Sequence, residues 1–370
     1  MSLTSQNPGF ASPDDPGHPA GQAAGTTGMT RDVRVTRSRR PTWWAAIAAL
    51  VAVAFLAYAP YVVFSGTTNL LVSFFILLIM ASMWNLLAGY AGLVSVGQQA
   101  FVGLGAYFVL ILASHHTNPF LAIPVATLLC AAVGLPIWWM VSRLRSGYFS
   151  ITMWVIATIC ELIIIQIASL GGGTGTALPG LTSNPTLLTA YTYWAALAVT
   201  VVAIGGLYYL LRSPLGLVLT AIRDDETGAR SIGAGVFRTQ RLVFMVSAAG
   251  CGAAGAIYII SQQFVVPGAA FSVQWSAEMI FITIIGGIGT IEGPILGTIV
   301  FFVLQQTLSQ YGTWYFIVLG LIAMAVAIWE PRGLWGLISD KLGIRLFPVG
   351  YYLWPAGEPP RTLFSLRKRA

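Results

Sequence analysis

The chain has 370 residues, 56% of them hydrophobic and only 8% charged, where a soluble domain carries about 25% charged residues. A chain this poor in charge could not cover its own surface in water, which excludes a soluble globular protein. The net charge of +7 is read as membrane orientation rather than nucleic-acid binding, because the basic residues cluster between apolar runs.

Residues 1–40 are rich in Pro, Gly, Ser and Thr and end in Arg31, Arg34, Arg37, Arg39 and Arg40. They are expected to form a disordered cytoplasmic tail, with Met1 and Met29 both open as the true start. The apolar run from Trp43 to about Phe64 is too long for the core of a signal peptide, and no clear small-residue cleavage site follows it. It reads as a retained first span. Between Arg40 and Arg143 lie 102 residues without a single Asp, Glu, Lys or Arg. A spanning helix needs about 20 apolar residues, so this stretch is long enough for four passes.

Spans are predicted at 43–64, 69–88, 92–113, 120–142, 147–169, 189–211, 242–263, 275–287, 294–310 and 313–330. The basic clusters at 31–40, 143–145, 212–241 and 332–369 are all placed inside by the positive-inside rule. Each interval between clusters then holds an even number of passes. The fold class is accordingly all-α, a polytopic transmembrane bundle of about ten helices with both termini cytoplasmic. All nineteen Lys and Arg residues fall inside, and the outer connections near 60–69, 114–119, 171–188, 264–274 and 310–313 hold none. Three parts result: the tail 1–40, a transmembrane region 41–338 with a large inner loop at about 212–241, and a cytoplasmic tail 339–370. Trp43, Trp44, Trp138, Trp139, Trp329 and Trp335 near the ends of apolar runs fit an aromatic belt. Cys130, Cys160 and Cys251 lie within apolar runs and read as small packing residues.

Little in the chain could do chemistry. No G-x-x-x-x-G-K-[ST] loop is present, and the only lysines are Lys341 and Lys368, so the chain cannot hold ATP by a P-loop. His18, His115 and His116 form no metal set. An enzyme is not expected. Glu161 lies within the fifth predicted span, Glu278 in the first turns of the eighth, and Glu292 at a Glu-Gly-Pro turn. An ionisable group in a bilayer is costly and usually faces a cavity or a partner, which makes Glu161 a candidate for a pathway or a packing contact. Gly286, Gly287 and Gly289 interrupt the eighth span, as Gly89, Gly92 and Gly97 interrupt the chain between the second and third. Such breaks often flank a transport pathway; equally, small residues let helices approach closely. In the inner loop, Asp224, Asp225 and Glu226 precede Arg230 in an order that suits a short helix with a favourable Glu226–Arg230 pair. A loop helix bearing both signs would serve as a docking surface for a cytoplasmic partner.

Four segments in order carry a family resemblance. Leu86-Leu-Ala-Gly-Tyr-Ala-Gly-Leu-Val-Ser-Val-Gly-Gln-Gln-Ala-Phe-Val-Gly-Leu-Gly-Ala-Tyr107 comes first. Gly147-Tyr-Phe-Ser-Ile, Cys160-Glu161 and Gly172-Gly-Thr-Gly-Thr-Ala-Leu-Pro-Gly180 make up the second. Ser213-Pro-Leu-Gly, Ala221-Ile-Arg-Asp-Asp-Glu and Ala229-Arg-Ser-Ile-Gly233 make up the third. Gly286-Gly-Ile-Gly-Thr-Ile-Glu-Gly-Pro-Ile-Leu-Gly297 with Pro331-Arg-Gly-Leu-Trp-Gly336 completes the set. Together, from about residue 69 to 338, they resemble the inner-membrane permease subunits of branched-chain amino-acid ABC importers of the LivM type, to which urea-type permeases are close relatives.

The resemblance implies an importer permease fold with interrupted helices, forming half of a translocation pathway in the inner membrane. Its implied partners are a second permease, expected to be a distinct homologue, two cytoplasmic ATPase subunits and an extracytoplasmic solute-binding protein. No cofactor is expected in this chain; ATP and Mg would be held by the ATPase subunits. Carried over onto this sequence, Arg223, Asp224, Asp225, Glu226, Arg230 and Gly233 would couple to the ATPase through a helix at 223–233. Gln98, Gln99, Glu161, Gly286, Gly287 and Gly289 would border the pathway. Gln98-Gln99 departs from the His or Gln followed by a small residue found in many relatives, which bears on the solute. Two alternatives stay open: a permease for urea or short amides, and a proton-coupled secondary carrier that uses Glu161.

Overall fold

The computed structural model describes residues 33–36, 47, 51, 53–60, 65–144, 146–181, 184–308, 312, 314–330, 332–342 and 352–355. The chain divides into two compact units. In the first, Met1–Thr36 with Tyr351–Ala370, strand β1 (Val33–Thr36) pairs antiparallel with the last strand, β4 (Tyr352–Pro355), in the register Val33 to Pro355 and Thr36 to Tyr352. Apart from β1, the expected disordered head lies outside the described residues, as does most of the C-terminal tail.

The second unit, Arg37–Gly350, is helical. Its elements are α1 (Ser65–Asn85), which runs into a π-turn at Leu86–Tyr90, α2 (Gln99–Ser114), α3 (Pro119–Val141), α4 (Ser146–Gln166) and α5 (Pro185–Arg212). Two short helices follow, α6 (Pro214–Asp224) and α7 (Glu226–Ser231), then the long α8 (Val236–Gln262) and a single turn, α9 (Pro267–Ala270). The chain closes with α10 (Val273–Gly286), α11 (Glu292–Leu308), α12 (Trp314–Trp329) and α13 (Gly333–Leu342). Several starts are written in the sequence as a capping residue followed by proline. Asn118 accepts from the Phe120 N–H ahead of Pro119, Asn184 from Thr186 ahead of Pro185, and Ser213 from Leu215 ahead of Pro214. In each case the side chain satisfies an orphan N–H and proline supplies a preset φ where its missing N–H costs nothing.

Among the described residues, six helices are long and apolar enough to cross a bilayer, or seven if the pair Ile317–Trp329 and Gly333–Ser339, bent by 44°, is one span. Six of the expected spans correspond to these helices. The span expected at 92–113 is instead a non-helical stretch followed by the 16 residues of α2. At 1.5 Å per residue that helix is about 24 Å long, short of a hydrocarbon core of about 30 Å. The span expected at 294–310 is the 17-residue α11, and 43–64 lies partly outside the described residues, with helix at 53–60. Composition alone does not reveal where glycine interrupts a helix inside an apolar run.

The two most buried spans, α1 and α8, form the centre. Helix α8 packs on α3, α2, α1 and α5. The outer helices turn apolar side chains outward, among them Leu128, Trp139, Leu162, Val202 and Leu321. A face of this kind belongs in lipid, not in water. Lipid tails compete with side chains for apolar contact, so close backbone approach has to hold such helices together. Glycines on α8 provide it. A Cβ on Gly255 would overlap the Val102 carbonyl, one on Gly252 would overlap Cys130, and one on Gly105 of α2 would overlap the Gly252 carbonyl. β2 (Thr176–Ala177) pairs antiparallel with β3 (Phe264–Val265), tying the glycine-rich connection between α4 and α5 to the end of α8. Gly175, at φ +81°, is pressed against the Val265 carbonyl there.

This packing predicts that Gly255→Val loses at least about 1–3 kcal/mol of stability, the usual cost of overpacking. Gly205→Val, with nothing within 4 Å of its new Cβ, should lose almost none. Thermal unfolding of the two variants in detergent makes the comparison, and equal midpoints would contradict the packing.

Candidate functional site

The two glycine breaks of the sequence meet in space. The π-turn ends α1 with five buried residues; such turns frequently mark functional sites. The chain then runs without regular structure through 91–98 before α2 begins. Non-helical backbone at membrane depth is tolerated only where protein satisfies it, and here side chains from three helices do so. The Ser95 carbonyl accepts from Trp84 Nε1 at 2.7 Å, the Val94 carbonyl from Ser150 Oγ of α4, and the Ala91 carbonyl from Gln240 Nε2 of α8 at 3.5 Å.

The second break, 287–291 between α10 and α11, docks on the first. Asn85 holds both: its Nδ2 donates to the Thr290 carbonyl at 2.7 Å, and its Oδ1 accepts from the Gly289 N–H at 2.8 Å. Gly89 faces Gly289 so closely that a Cβ at residue 89 would stand 2.6 Å from the Gly289 nitrogen. Gly287 and Gly289 have φ of +126° and +77°, a region that favours glycine. Gly286 packs against the Gly293 carbonyl, and a Cβ on Gly287 would come 2.7 Å from the Arg332 carbonyl. The glycines thus let the two segments approach closely, one of the two readings left open by the sequence.

Gln98 occupies the position before the first turn of α2 and is fully buried, yet among the described residues neither Oε1 nor Nε2 has a hydrogen-bond partner. A buried amide with both ends unpaired is costly and needs an explanation such as a ligand or water. Its neighbour Gln99 is satisfied, accepting from Ser276 Oγ of α10. Glu161 is half-buried on α4 and stands five residues, about 8 Å of helix, from the helix end at Gln166. Its Oε1 lies 3.7 Å from where a Cβ on Gly268 would be. The span expected around it runs to 169, so Glu161 sits nearer the helix end than the sequence suggested. The structure does not bring it to Gln98.

The inner loop is folded. A small apolar core of Ile222, Ala229 and Val236 packs α6, α7 and the start of α8 together. The single helix expected at 223–233 is two helices. Asp225 adopts an extended conformation (φ −156°, ψ 107°) and its Oδ1 accepts from the Thr227 N–H at 2.9 Å, so it ends α6 and caps α7. Aspartate competes for the backbone in this way and prefers caps to helix interiors. Asp224 therefore belongs to the last turn of α6, beside Arg223 at 3.3 Å, and is 71% exposed. The expected Glu226–Arg230 pair is present at 2.6 Å; exposed as it is, it contributes about 0.3–0.5 kcal/mol. Gly233, at φ +81°, closes α7 with its N–H on the Arg230 carbonyl, while the Ala234 N–H reaches Ala229. Arg223 links this loop to the crossing: its Nη1 lies 3.0 Å from where a Cβ on Gly289 would stand.

Sequence reasoning missed Asn85, Ser276 and the burial of Glu292. Asn85 was detectable as an amide in a charge-free run, four residues before Gly89. Glu292 is 6% exposed in the first turn of α11 and, with Arg223, lies within electrostatic reach of Tyr90. Glu278, also buried, accepts from Gln274 Nε2 at 2.8 Å.

A bundle of apolar helices with two broken segments locked together at a polar crossing defines a multi-pass membrane protein of transport type. The family described as "Branched-chain amino acid transport system / permease component" matches residues 66–328, and the chain belongs to it. It is similar to the high-affinity branched-chain amino acid transport system permease protein LivM of Escherichia coli, with 28% identity over 80% of this chain and 76% of that protein. The protein of the same name from Salmonella typhimurium is 26% identical over the same shares. The probable branched-chain amino acid transport permease protein LivM of Methanocaldococcus jannaschii is 24% identical over 58% of this chain and 67% of that protein. No solved structure matches the chain.

The crossing predicts that Asn85→Ala leaves the Gly289 N–H and the Thr290 carbonyl without this partner, at about 1 kcal/mol for each part-buried hydrogen bond. Asn85→Asp, which keeps the acceptor and loses the donor, should fall between that variant and the parent in thermal unfolding. An Asn85→Ala variant as stable as the parent would show that the clamp contributes nothing.

Proposed function

We propose that this chain is one permease subunit of a binding-protein-dependent ABC importer for branched-chain amino acids, forming half of the pathway across the inner membrane. The observation that carries the reading is the junction of the inner loop with the helix crossing, where Arg223 stands against Gly289 while Asn85 binds 289–290 to the end of α1. A chain without a nucleotide site needs its energy from partners, and a folded inner loop touching the interrupted helices is a route for it. ATPase subunits closing on ATP would move α6 and α7. Arg223 would carry that displacement to the crossing, whose glycines at Gly92, Gly287 and Gly289 absorb changes in backbone angle.

Gln98, at the start of the shortened α2, is then the solute-facing group of this subunit. Half-helix starts near the membrane midplane, beside unwound backbone, are where carriers hold small anionic groups. Ten crossings with both termini cytoplasmic complete the reading. The pairing of β1 with β4 supports an even number of passes, because it joins a segment before the first span to one after the last. The irregular stretch 91–98 preceding α2 supports a crossing made of two parts. The partners would be a second, distinct permease, two ATPase subunits and an external binding protein.

Proteoliposomes test the assignment. With all partners present, leucine uptake should require ATP and the binding protein; uptake by this chain alone, collapsed by uncouplers, would replace the reading with a secondary carrier. Urea or a short amide transported in place of leucine would reassign the solute. In the same vesicles Gln98→Ala should lower uptake about tenfold or more, the worth of a hydrogen bond to a charged group, while basal ATPase activity stays as in the parent.

Docking is tested at Asp224, since Asp225 is spent on capping α7. Asp224→Arg leaves both helices intact and should weaken ATPase association severalfold in pull-down at low salt, whereas Asp225→Ala should also loosen α7 by about 1 kcal/mol. Unchanged association and transport in Asp224→Arg would remove Asp224 from the contact.

A further inference from the structure

Five arginines lie in the segment 212–241, and three of them have side-chain partners. Arg212 donates to the Tyr208 hydroxyl at 2.6 Å, Arg223 pairs with Asp224, and Arg230 pairs with Glu226. Arg238 and Arg241 are exposed and make no ion pair or hydrogen bond among the described residues. They stand one turn apart on one face of α8, within its first two turns. Like charges so placed repel each other, and the helix dipole is positive at this end. The first turn of α8 offers neither an acidic residue nor a side-chain cap to offset them.

Both arginines line a groove of about 460 Å³, a size typical of ligand sites. Beyond them its wall is apolar. Leu242, Met245, Val246 and Ala249 follow at the spacing of one helix face. From Arg241 to Ala249 this wall descends about 12 Å into the bundle, eight residues at 1.5 Å each. Ala131 of α3 forms the opposite side and Leu215 of α6 closes the end nearest the inner loop. The groove is thus cationic where α8 leaves the inner loop and apolar along the depth of the bilayer.

We propose that this groove is a binding site for an anionic phospholipid of the leaflet that faces the inner loop, its phosphate between Arg238 and Arg241 and an acyl chain along Leu242, Met245 and Ala249. The charge arrangement selects the occupant. A zwitterionic lipid brings its own cation to the two guanidiniums, and a soluble anion leaves the apolar wall uncovered. A basic pocket between helices on the inner side is the setting in which anionic headgroups bind. The ligand would also join α3, α6 and α8, so that lipid occupancy bears on the position of the inner loop.

The full chain is purified in detergent and titrated with phosphatidylglycerol or phosphatidylcholine, and retained lipid is counted by native mass spectrometry. The parent should retain one phosphatidylglycerol with at least tenfold preference over phosphatidylcholine. Arg238→Gln/Arg241→Gln should abolish the preference. Ala249→Phe, which fills the apolar end and leaves both arginines in place, should lose the bound lipid without any change in net charge. Equal retention of the two lipids, or undiminished phosphatidylglycerol binding in the double variant, would overturn the proposal. Complete displacement of the lipid by inorganic phosphate, or by the second permease on assembly, would overturn it as well, assigning the groove to a soluble anion or to a protein interface.

Discussion

A peptide group inside a bilayer has no water to turn to, so a chain that breaks its helices there must supply every lost hydrogen bond from its own side chains. That constraint organises this protein. The stretch 91–98 and the turn 287–291 are unwound, and each is satisfied by a polar side chain placed on an otherwise apolar helix. Asn85 is the most economical of these, since one amide closes a donor and an acceptor on the opposite segment. The positions of α2, α10 and α11 follow, because those helices begin or end at the two breaks.

The same constraint explains the use of glycine. In water a core gains stability by removing apolar surface from solvent, but between lipid-embedded helices little such gain exists. Dispersion contacts and close backbone approach replace it, and the glycines of α2, α8, α10 and α11 let carbonyls of one helix stand where a side chain of the next would otherwise be. Cys130 and Cys251, fully buried, fill the same small volumes.

What was legible in the sequence divides along these physical lines. Charge-free runs and arginine clusters located the long helices, because desolvating charge is the largest energy in the problem. The Asn-Pro and Ser-Pro starts were written locally. Helix count was less legible: α2 is shorter than the span expected at 92–113 because of a glycine-bearing break that leaves hydropathy unchanged. At the inner loop the Glu226–Arg230 pair was readable from spacing, while the break at Asp225 was not, since three consecutive acids all suit a first turn and only the backbone decides which one caps. Gln98 and Gln99 look alike in sequence, yet the structure satisfies one through Ser276 and leaves the other bare. Asn85, 204 residues from Gly289, belongs to a contact that no local pattern encodes.

The meeting of Gly89 with Gly289 is backbone against backbone. A contact without side chains leaves little play: a methyl group on Gly89 already exceeds the room available, and one on Gly289 would crowd the Gly89 carbonyl at 3.1 Å from a backbone at φ +77°. A larger residue at this point is therefore answered by displacement of both breaks at once, and the helices that begin or end there, α2, α10 and α11, shift with them.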